Sequence, residues 1–385
     1  MSDRPENGAG QLISSIGALD AVEDEWRALA ESRGNAFITP EWFRSWHGQY
    51  GAGQTPAVVV VRSEDGSIRG VVPLVGDLGG FPRRVRFAGA NLGDHLQPAA
   101  TLQNEVEVAA AAGRAVAEAG RWSMVVLDNV EVGAAWAREM VAAGGLKSDA
   151  HRQAALPHVN LSEFGSWEVY LASRSRNFRS QIGRFRRRLE REHQVEFRRT
   201  SDPARLAEEL DTFFRLHDAR WASKGGSSSA GERARRFHFD FAARALERGW
   251  LRLWTLDVDG EPAAAWYGWL LGGRYAYYLA GFDPRWSDQR VGLILLAHTV
   301  RSAFEEGADE YDMLLGEEPY KDRFASSQRQ VETVLATPAR HPARALAATE
   351  VSVWRLARRL PEHRRLRLRE ALGSVAKRLP GDRSR

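Results

Sequence analysis

The sequence predicts an α/β fold (α+β) of two similar halves, in which helices flank mixed central sheets. The main observation is a long internal repeat, since one order of helix, hairpin, strand, helix and strand runs through each half. Three pairs of segments mark the repeat: Asp65-Gly66 with Asp259-Gly260, Arg86-Phe-Ala-Gly89 with Tyr278-Leu-Ala-Gly281, and Leu127-Asp128 with Tyr311-Asp312. A spacing of roughly 190 residues is far longer than a solenoid period. The alternative is that an ordinary α/β chain shows this order without duplication.

The first half begins with two helices and continues with a hairpin. Trp26 and Leu29 fall on one side of an amphipathic segment, and Pro40 suits the first turn of the next helix. Asp65-Gly66 joins two β-branched runs and predicts a tight turn between strands. The predicted elements are helices over 21–32 and 40–50, strands over 56–62, 68–75 and 84–88, a helix over 106–119, a strand over 124–127 and a helix over 134–143.

The second half repeats this order after a basic helical segment. Phe213, Phe214, Leu216 and Trp221 recur on one predicted helix, and Gly249 and Gly307 stop two others. The predicted elements are helices over 206–222 and 236–248, strands over 250–258, 262–271 and 274–280, a helix over 292–306 and a short strand over 311–315. The segment 223–231 is rich in Gly and Ser and is predicted to be a lid or a linker.

Length and charge suggest three parts: a domain over 1–160, a domain over 161–338 and a basic tail over 339–385. Residues 340–385 carry a net charge of +9, whereas the whole chain carries +4. Cysteine is absent, which excludes disulfides, thiolate metal sites and a cysteine nucleophile. No apolar run approaches the length of a membrane span, and the start of the chain is polar. We therefore expect a cytoplasmic protein.

The segment after the strand over 274–280 is the first candidate for chemistry. It leads through a short loop into a helix that starts near Gly292. A helix N-terminus presents free backbone amides, which suit phosphate oxygens. Gln289-x-x-Gly292 has the spacing of the pyrophosphate loop of acyl-CoA enzymes, although Ile294 stands where a small residue is usual. The alternative is an ordinary helix start.

The second candidate is the segment 312–324, which follows a predicted strand. Open α/β sheets place ligands at strand ends of this kind. Within it, a carboxylate of Glu317 or Glu318 could take a proton from an amine, Tyr320 could return one to a leaving thiolate, and Lys321 could act as a charge clamp. Lys321 could instead pair with Glu317 or Glu318, and the whole segment could be a solvated polar loop.

These two segments resemble a known family. The resemblance is carried by Phe237-His238, Leu253-x-x-Leu256-x-Val258-Asp-Gly-Glu261-Pro-Ala-Ala264, Tyr277-Tyr-Leu-Ala-Gly-Phe-Asp-Pro284, Gly292-x-x-Leu295 and Tyr311-Asp-Met-Leu-Leu-Gly-Glu-Glu-Pro-Tyr-Lys-Asp-Arg-Phe324. They are similar to the CelD/BcsL-type acetyltransferases of cellulose biosynthesis, a GNAT-superfamily branch with a BioF-like acetyltransferase domain, related to the Fem aminoacyl transferases. The resemblance covers about 170–325 and is weaker over 10–160.

The resemblance implies tandem GNAT-like domains, the second of which binds the donor. Its signature falls on Gly316, Glu318, Tyr320 and Lys321, and we take Glu318 as the preferred base, Tyr320 as the candidate acid and Lys321 as a charge clamp. It implies acetyl-CoA or another acyl-CoA as donor and requires no metal. The backbone of Gly281, Phe282 and Asp283 would hold the thioester, and the pyrophosphate would bind at Gln289, Arg290, Gly292 and Leu293. The candidate acceptor-binding residues are Asp94, His95, Arg179, His217, Arg220 and Trp221.

Two arginine-rich segments have open roles. The helix within 174–199 shows arginines opposite an apolar stripe of Phe178, Ile182, Phe185 and Leu189. It could receive phosphates of a nucleotide-linked sugar, a lipid head group or tRNA, or be a solvated face. The basic tail could contact an anionic membrane peripherally or pack on the body.

The predicted function is N-acyl transfer from acyl-CoA, with acetyl as the first candidate, to an amine. The acceptor would be a small molecule or a sugar-linked amine, within the classes of sugar, peptide and metabolite precursor. One alternative is a Fem-like transferase that uses aminoacyl-tRNA, a less favoured partner; DNA is not expected. An alternative of another class is a non-catalytic, membrane-associated scaffold for polysaccharide assembly. In that case Glu318→Gln and Lys321→Ala would leave cellular function intact.

Overall fold

The computed structural model describes residues 8–222, 231–316 and 318–357, apart from the side chains of residues 152 and 153. Most of the predicted lid segment, Glu317 and most of the basic tail therefore lie outside the described residues. Within the described ranges the chain forms one mixed sheet of thirteen strands with helices packed against it. The predicted mixed α/β class is confirmed.

The strands follow the order β1-β2-β3-β4-β6-β13-β7-β12-β11-β10-β9-β8 across the sheet, and β5 pairs with β3 beside this path. Their bounds are β1 Gly10–Ile13, β2 Gln54–Arg62, β3 Ile68–Asp77, β4 Arg84–Phe87, β5 Ala99–Ala100, β6 Met124–Glu131, β7 Leu146–Asn160, β8 Val195–Arg199, β9 Leu251–Val258, β10 Glu261–Leu271, β11 Arg274–Phe282, β12 Glu310–Asp312 and β13 Ser327–Pro338.

The helices pack on both faces of the sheet. Their bounds are α1 Glu23–Ser32, α2 Pro40–Tyr50, α3 Glu105–Glu118, α4 Ala135–Ala143, α5 Trp167–Ser173, α6 Arg176–Glu192, α7 Leu206–Trp221, α8 Glu232–Glu247, α9 Val291–Glu305, α10 Pro319–Phe324 and α11 Ala343–Ala357. In the described part of the chain, no helix combines the length and apolar character needed to cross a bilayer.

The two halves repeat one topology, as the sequence predicts. Each has an antiparallel hairpin (β2–β3, β9–β10), a third strand (β4, β11), a helix (α3, α9) and a strand parallel to the third one (β6, β12). The last strands are exchanged, because β7 of the first half pairs with β12 and β13 of the second half pairs with β6. The exchanged strands also pair with each other along their length, which joins both halves into one sheet.

An aromatic cluster seals the two halves together on one face. Trp42 of α2 packs edge-on against Phe37, Phe237 and Phe241, with ring centroids 4.7 to 4.9 Å apart. Trp42 is fully buried, and Tyr278 of β11 also contacts it. Aromatic side chains bury large apolar areas, so this cluster is a main source of adhesion between the halves. Trp269 of β10 belongs to the same core.

The beginning of the basic tail packs on the body. Ala343, Ala347 and Val351 of α11 are buried against Met124, Val126 and Leu335 of the sheet. Ion pairs join Arg84 to Glu350 and Arg344 to Asp149. The tail therefore packs on the body as far as residue 357. The alternative, contact with a membrane, concerns only residues beyond 357.

His238 of α8 is a buried imidazole whose effect on stability can be measured. It is fully buried beside Tyr267 and Tyr278, and burial, with a smaller effect of His217, lowers its pKa to about 3. The unfolded chain binds this proton below its ordinary pKa of about 6.5. The neutral buried His238 therefore leaves the free energy of unfolding undiminished above pH 6.5 and lowers it progressively as pH falls toward 3.

We expect His238→Phe to reduce the acid sensitivity of the fold. Between pH 7.5 and pH 5, wild type should lose about 2 kcal/mol more of its free energy of unfolding than the variant. Urea denaturation of both proteins at the two pH values measures the difference. Equal losses in both proteins would contradict a neutral buried His238.

Candidate active site

The candidate site lies where β11 and β12 separate. The two strands pair in parallel only from Arg274 to Ala276 of β11, and β12 ends at Asp312. Beyond Ala276, β11 continues to Phe282 while its other edge carries no strand neighbour among the described residues. The backbone groups on this free edge need partners, and the gap beside it provides room for a ligand.

Helix α7 covers part of the free edge. His217 Nδ1 lies 2.9 Å from the carbonyl oxygen of Ala280, and Arg220 Nη1 donates to the same oxygen at 3.3 Å. Gly281 permits this close approach, because a Cβ at that position would overlap the backbone of Leu216 and His217. A glycine is thus required at position 281 so that α7 can pack against β11. Gly281 also lines a cavity.

A cavity of about 340 Å³ occupies the space between β10, β11, the start of α9 and Tyr320. Its apolar wall includes Trp266 of β10. The polar groups are fewer and gather at one side. The lining residues are Arg220, Ala265, Trp266, Tyr277, Ala280, Gly281, Phe282, Ser287, Arg290, Val291, Gly292, Leu293, Leu295, Leu296 and Tyr320. Apolar walls with a few convergent polar groups are typical of small-molecule sites.

Two tyrosine hydroxyls and one guanidinium form the polar centre of this cavity. Tyr277 Oη lies 2.9 Å from Tyr320 Oη, and the guanidinium of Arg220, which lines the same cavity, interacts with both hydroxyls. Burial raises the pKa of Tyr320, and Tyr277 and Glu318 add to the effect while Arg220 opposes it. Burial lowers the pKa of Arg220, but the two tyrosines more than compensate, so the pKa is raised overall. The centre therefore holds protonated hydroxyls next to a charged guanidinium.

Lys321 builds the loop beside this centre. Its Nζ donates to the carbonyl oxygens of Met313 at 2.9 Å and Leu315 at 2.7 Å, and it pairs with Glu318 at 3.3 Å. Two of the three ammonium donors thus serve backbone carbonyl oxygens, and the contact with Glu318 is an ion pair. Gly316 adopts a φ of +146°, and a Cβ there would overlap Glu318 and Lys321. Lys321 is thus a buried anchor of the loop, which is the alternative that the sequence left open against a charge clamp.

Two carboxylates from different halves meet at this loop. Glu318 Oε1 lies 4.0 Å from Arg220, and Asp94 Oδ2 accepts from the Leu315 amide at 3.2 Å. Burial raises the pKa of Asp94 to about 7, with Asp312 and Glu318 adding to the rise and Lys321 and the Leu315 amide opposing it. Asp94 comes from the segment after β4, so the first half contributes directly to the surroundings of the second-half site.

The structure brings many of the predicted residues together. Gly281, Phe282, Arg290, Gly292, Leu293, Arg220 and Tyr320 line the cavity, and Glu318, Lys321 and Asp94 lie at the adjoining loop. His217 contacts Ala280 in the cavity wall, and Trp221 lies under the Arg220 guanidinium. The turn before α9 and the segment 312–324 therefore border the same cavity.

Other predicted residues point elsewhere. The Gln289 amide donates to Glu192 of α6 at 3.4 Å, and Asp283 accepts from Arg285, whose hydrogen bonds lower the pKa of that carboxyl. Arg179 donates to the carbonyl oxygens of Ala172 and Arg174 at the end of α5. None of these three residues lines the cavity.

His95 also faces away from the cavity. It is buried at the junction of the halves, where burial and the charges of Arg274, Arg329 and Arg33 hold its pKa well below the ordinary range. Its carbonyl oxygen accepts from Asn35 Nδ2 at 2.9 Å. These contacts describe a structural position between the halves, one residue beyond Asp94.

Sequence reasoning did not select Tyr277 or Arg323 as site residues. Tyr277 sits in an apolar aromatic strand, where its hydroxyl has no distinguishing pattern. The only available signal was strand alternation, which places Tyr275 and Tyr277 on one face of β11. Tyr277 can be recognised as a site residue only in the folded chain, because its partner Tyr320 lies 43 residues further along the sequence.

The comparisons with known proteins concern the fold and the second half of the chain. Residues 176–322 match the family model described as the acetyltransferase (GNAT) domain, and no curated protein sequence matches the chain. The structure of FemX is similar at 14% identity and a TM-score of 0.58, covering 81% of this chain and 95% of that one. L-PGS from Bacillus licheniformis is similar at 15% identity and a TM-score of 0.51, covering 88% and 97%.

A third solved structure has the same extent of similarity. A C-terminal DUF2156 domain from Agrobacterium fabrum is 13% identical, with a TM-score of 0.55, and the alignment covers 87% of this chain and 96% of that domain. At such identities the likeness shows the fold alone. The chain thus has a fold that extends over nearly the whole of these structures, and its residues 176–322 match the GNAT acetyltransferase domain family.

Proposed function

We propose that this chain is an N-acyltransferase that moves an acyl group, with acetyl as the first candidate, from acyl-CoA to an amine. The observation that carries the proposal is the Tyr277–Tyr320–Arg220 centre inside a cavity of about 340 Å³, in the segment that matches the GNAT family. The resemblance to CelD/BcsL-type acetyltransferases supports a sugar-linked or small-molecule amine as acceptor. A cytoplasmic location, with peripheral membrane contact by residues beyond 357, belongs to the same proposal.

Hydrogen-bond counting gives this centre its chemical role. Arg220 can only donate, so the hydroxyl oxygens of Tyr277 and Tyr320 turn lone pairs toward it. The two hydroxyls hold two protons, and the bond between them uses one. The other proton is available to a ligand atom in the cavity, and the adjacent guanidinium strengthens it as a donor. We assign this proton to the leaving sulfur of a thioester.

The reaction then balances with groups of this chain. The amine nitrogen bonds to the thioester carbonyl carbon, the carbon–sulfur bond breaks, and the sulfur takes a proton from Tyr320. The nitrogen releases a proton to Glu318, the carboxylate whose charge acts on Tyr320. The incoming ammonium gives its extra proton to solvent before the attack, and Asp94, whose pKa burial raises to about 7, lies at the same loop as Glu318. Solvent exchange restores both groups.

A binding screen tests the donor. We expect acetyl-CoA and free CoA to raise the melting temperature of the full chain, because a ligand that binds only the folded state stabilises it. Acetyl-CoA and longer acyl-CoAs, compared by thermal shift and calorimetry, define the acyl length, and CoA release in the presence of amines measures transfer. Absence of both binding and transfer would refute an acyl-CoA donor.

A second candidate keeps the fold and changes the donor to an aminoacyl-tRNA. Similarity to FemX and to L-PGS favours this candidate, together with the arginine-rich α6. Retention of aminoacyl-tRNA on a filter, with no response to CoA, would support it. Such binding should weaken steeply as salt is raised, since phosphate contacts release counterions.

A further inference from the structure

We infer that phosphate groups of the donor bind in an arginine-lined mouth formed by Arg184, Arg290 and Arg323. This inference rests on the proposed function and names the part of the site that recognises the donor's charged end. The mouth is a cavity of about 460 Å³ lined by Gln181, Arg184, Phe185, Arg290, Leu293, Tyr320 and Arg323. It shares Arg290, Leu293 and Tyr320 with the inner cavity, so the two spaces adjoin.

Two helices and the residue before a third helix supply the three guanidinium groups. Arg184 belongs to α6, Arg323 belongs to α10, and Arg290 directly precedes α9. Arg290 has a φ of +58°, a left-handed conformation that is uncommon for a residue with a side chain. Convergence of these helices produces a positive mouth whose inner end is Tyr320. A ligand with a negative end and an apolar arm fits this order of surfaces.

The charge of the mouth lacks an internal counterion. Within the described ranges, none of Arg184, Arg290 and Arg323 has a carboxylate oxygen within 4.0 Å, although Arg323 donates to Gln181 at 2.7 Å. Other arginines of α6 do have carboxylate partners, as in the Arg186–Glu190 and Arg188–Glu192 pairs at 2.7 and 3.1 Å. The arginines of the mouth are thus free for oxyanions, which guanidinium groups bind with two parallel hydrogen bonds.

The same region explains how this chain differs from a backbone phosphate loop. The predicted loop residue Gln289 turns its amide toward Glu192 of α6, and the bulky Ile294 is buried in α9. Recognition by side chains at the mouth takes over the role that the spacing Gln289-x-x-Gly292 suggested for the loop. Diphosphates and phosphodiesters share the oxyanion that this mouth recognises, and CoA and the 3′ end of a tRNA are the two sources.

Calorimetry on the full chain tests the mouth with CoA, 3′-dephospho-CoA and pantetheine, which lacks phosphate. We expect Arg184→Ala/Arg323→Ala to weaken CoA binding at least 30-fold and to leave pantetheine binding within threefold. The control is Arg176→Ala/Arg187→Ala, which removes the same charge from exposed positions of α6 that do not line the mouth. It should change CoA affinity less than threefold. Arg184→Glu provides a single variant that spares the contact of Arg323 with Gln181.

The outcomes separate the mouth from the proposed function. Equal CoA affinity in the mouth variant and the control variant overturns the inference, even if acyl transfer is confirmed. CoA binding that depends on Arg184 and Arg323, without transfer to any amine, supports the mouth while the proposed function fails. An RNA hairpin ending in CCA that binds through the same arginines, with no CoA binding, also supports the phosphate site and assigns the donor to tRNA. Binding of neither probe overturns it.

Discussion

Replacing Tyr320 with Phe is expected to lower kcat for acyl transfer by about 100-fold or more, because the leaving sulfur loses its proton donor. The donor KM should change less than threefold, since the phosphate-binding mouth keeps its three arginines. Steady-state CoA release from acetyl-CoA and the best amine of the screen measures both constants. Tyr277→Phe should lower kcat less, because Tyr320 keeps its contact with Arg220.

Tyr50→Phe is the matched control for the loss of one hydroxyl. Tyr50 is a half-buried tyrosine of α2 that stacks on Trp46, away from the cavity. It should keep full activity. The double variant Tyr277→Phe/Tyr320→Phe should be little worse than Tyr320→Phe, because residues that act as one unit are not additive. A kcat of Tyr320→Phe equal to that of Tyr50→Phe would eliminate Tyr320 as the acid.

Lys321→Met is expected to cost about 3 kcal/mol of the free energy of unfolding and to abolish transfer. The buried ammonium satisfies the carbonyl oxygens of Met313 and Leu315 and pairs with Glu318. A thioether leaves the two buried carbonyl oxygens without their donor and Glu318 without its ion pair. The loop that carries Glu318 would then lose its shape, so the activity loss should exceed that of Glu318→Gln.

Lys147→Met is the control for this change, because Lys147 is an exposed lysine at the start of β7. Urea denaturation should show it within about 0.5 kcal/mol of wild type, as is usual for surface substitutions. If Lys321→Met unfolds at the same urea concentration as Lys147→Met, the anchoring role is wrong and a direct role for Lys321 toward a ligand regains support.

Most of the local elements were predictable because their signals are local. Pro40 begins α2, the Asp65-Gly66 and Asp259-Gly260 turns join hairpins, and apolar spacing marks α9. The strands β7 and β13 were missed. Each mixes polar residues with short apolar runs, and each gains its stability by pairing with a strand from the other half, which no local pattern records.

The candidate site divides in the same way. Glu318, Tyr320 and Lys321 stand close together in the chain, so the sequence could select them as chemistry-bearing residues. It could not rank a buried anchor above a charge clamp for Lys321, because that distinction depends on the carbonyl groups of a folded loop. Gln289 was selected by spacing, yet its amide is held by Glu192, which lies 97 residues earlier.

The sequence by itself determined the repeated order of helices and strands, the cluster of polar residues in the segment 312–324 and the family resemblance. Residue identity and periodicity determine these features without long-range contacts. Only the tertiary structure decided that the last strands are exchanged between halves and that Asp94 of the first half reaches Leu315. It alone assembled Tyr277, Tyr320 and Arg220 at one cavity. The reason is physical: hydrogen bonds and burial join groups that are distant in the chain, and their energies depend on positions that exist only after the sheet has closed.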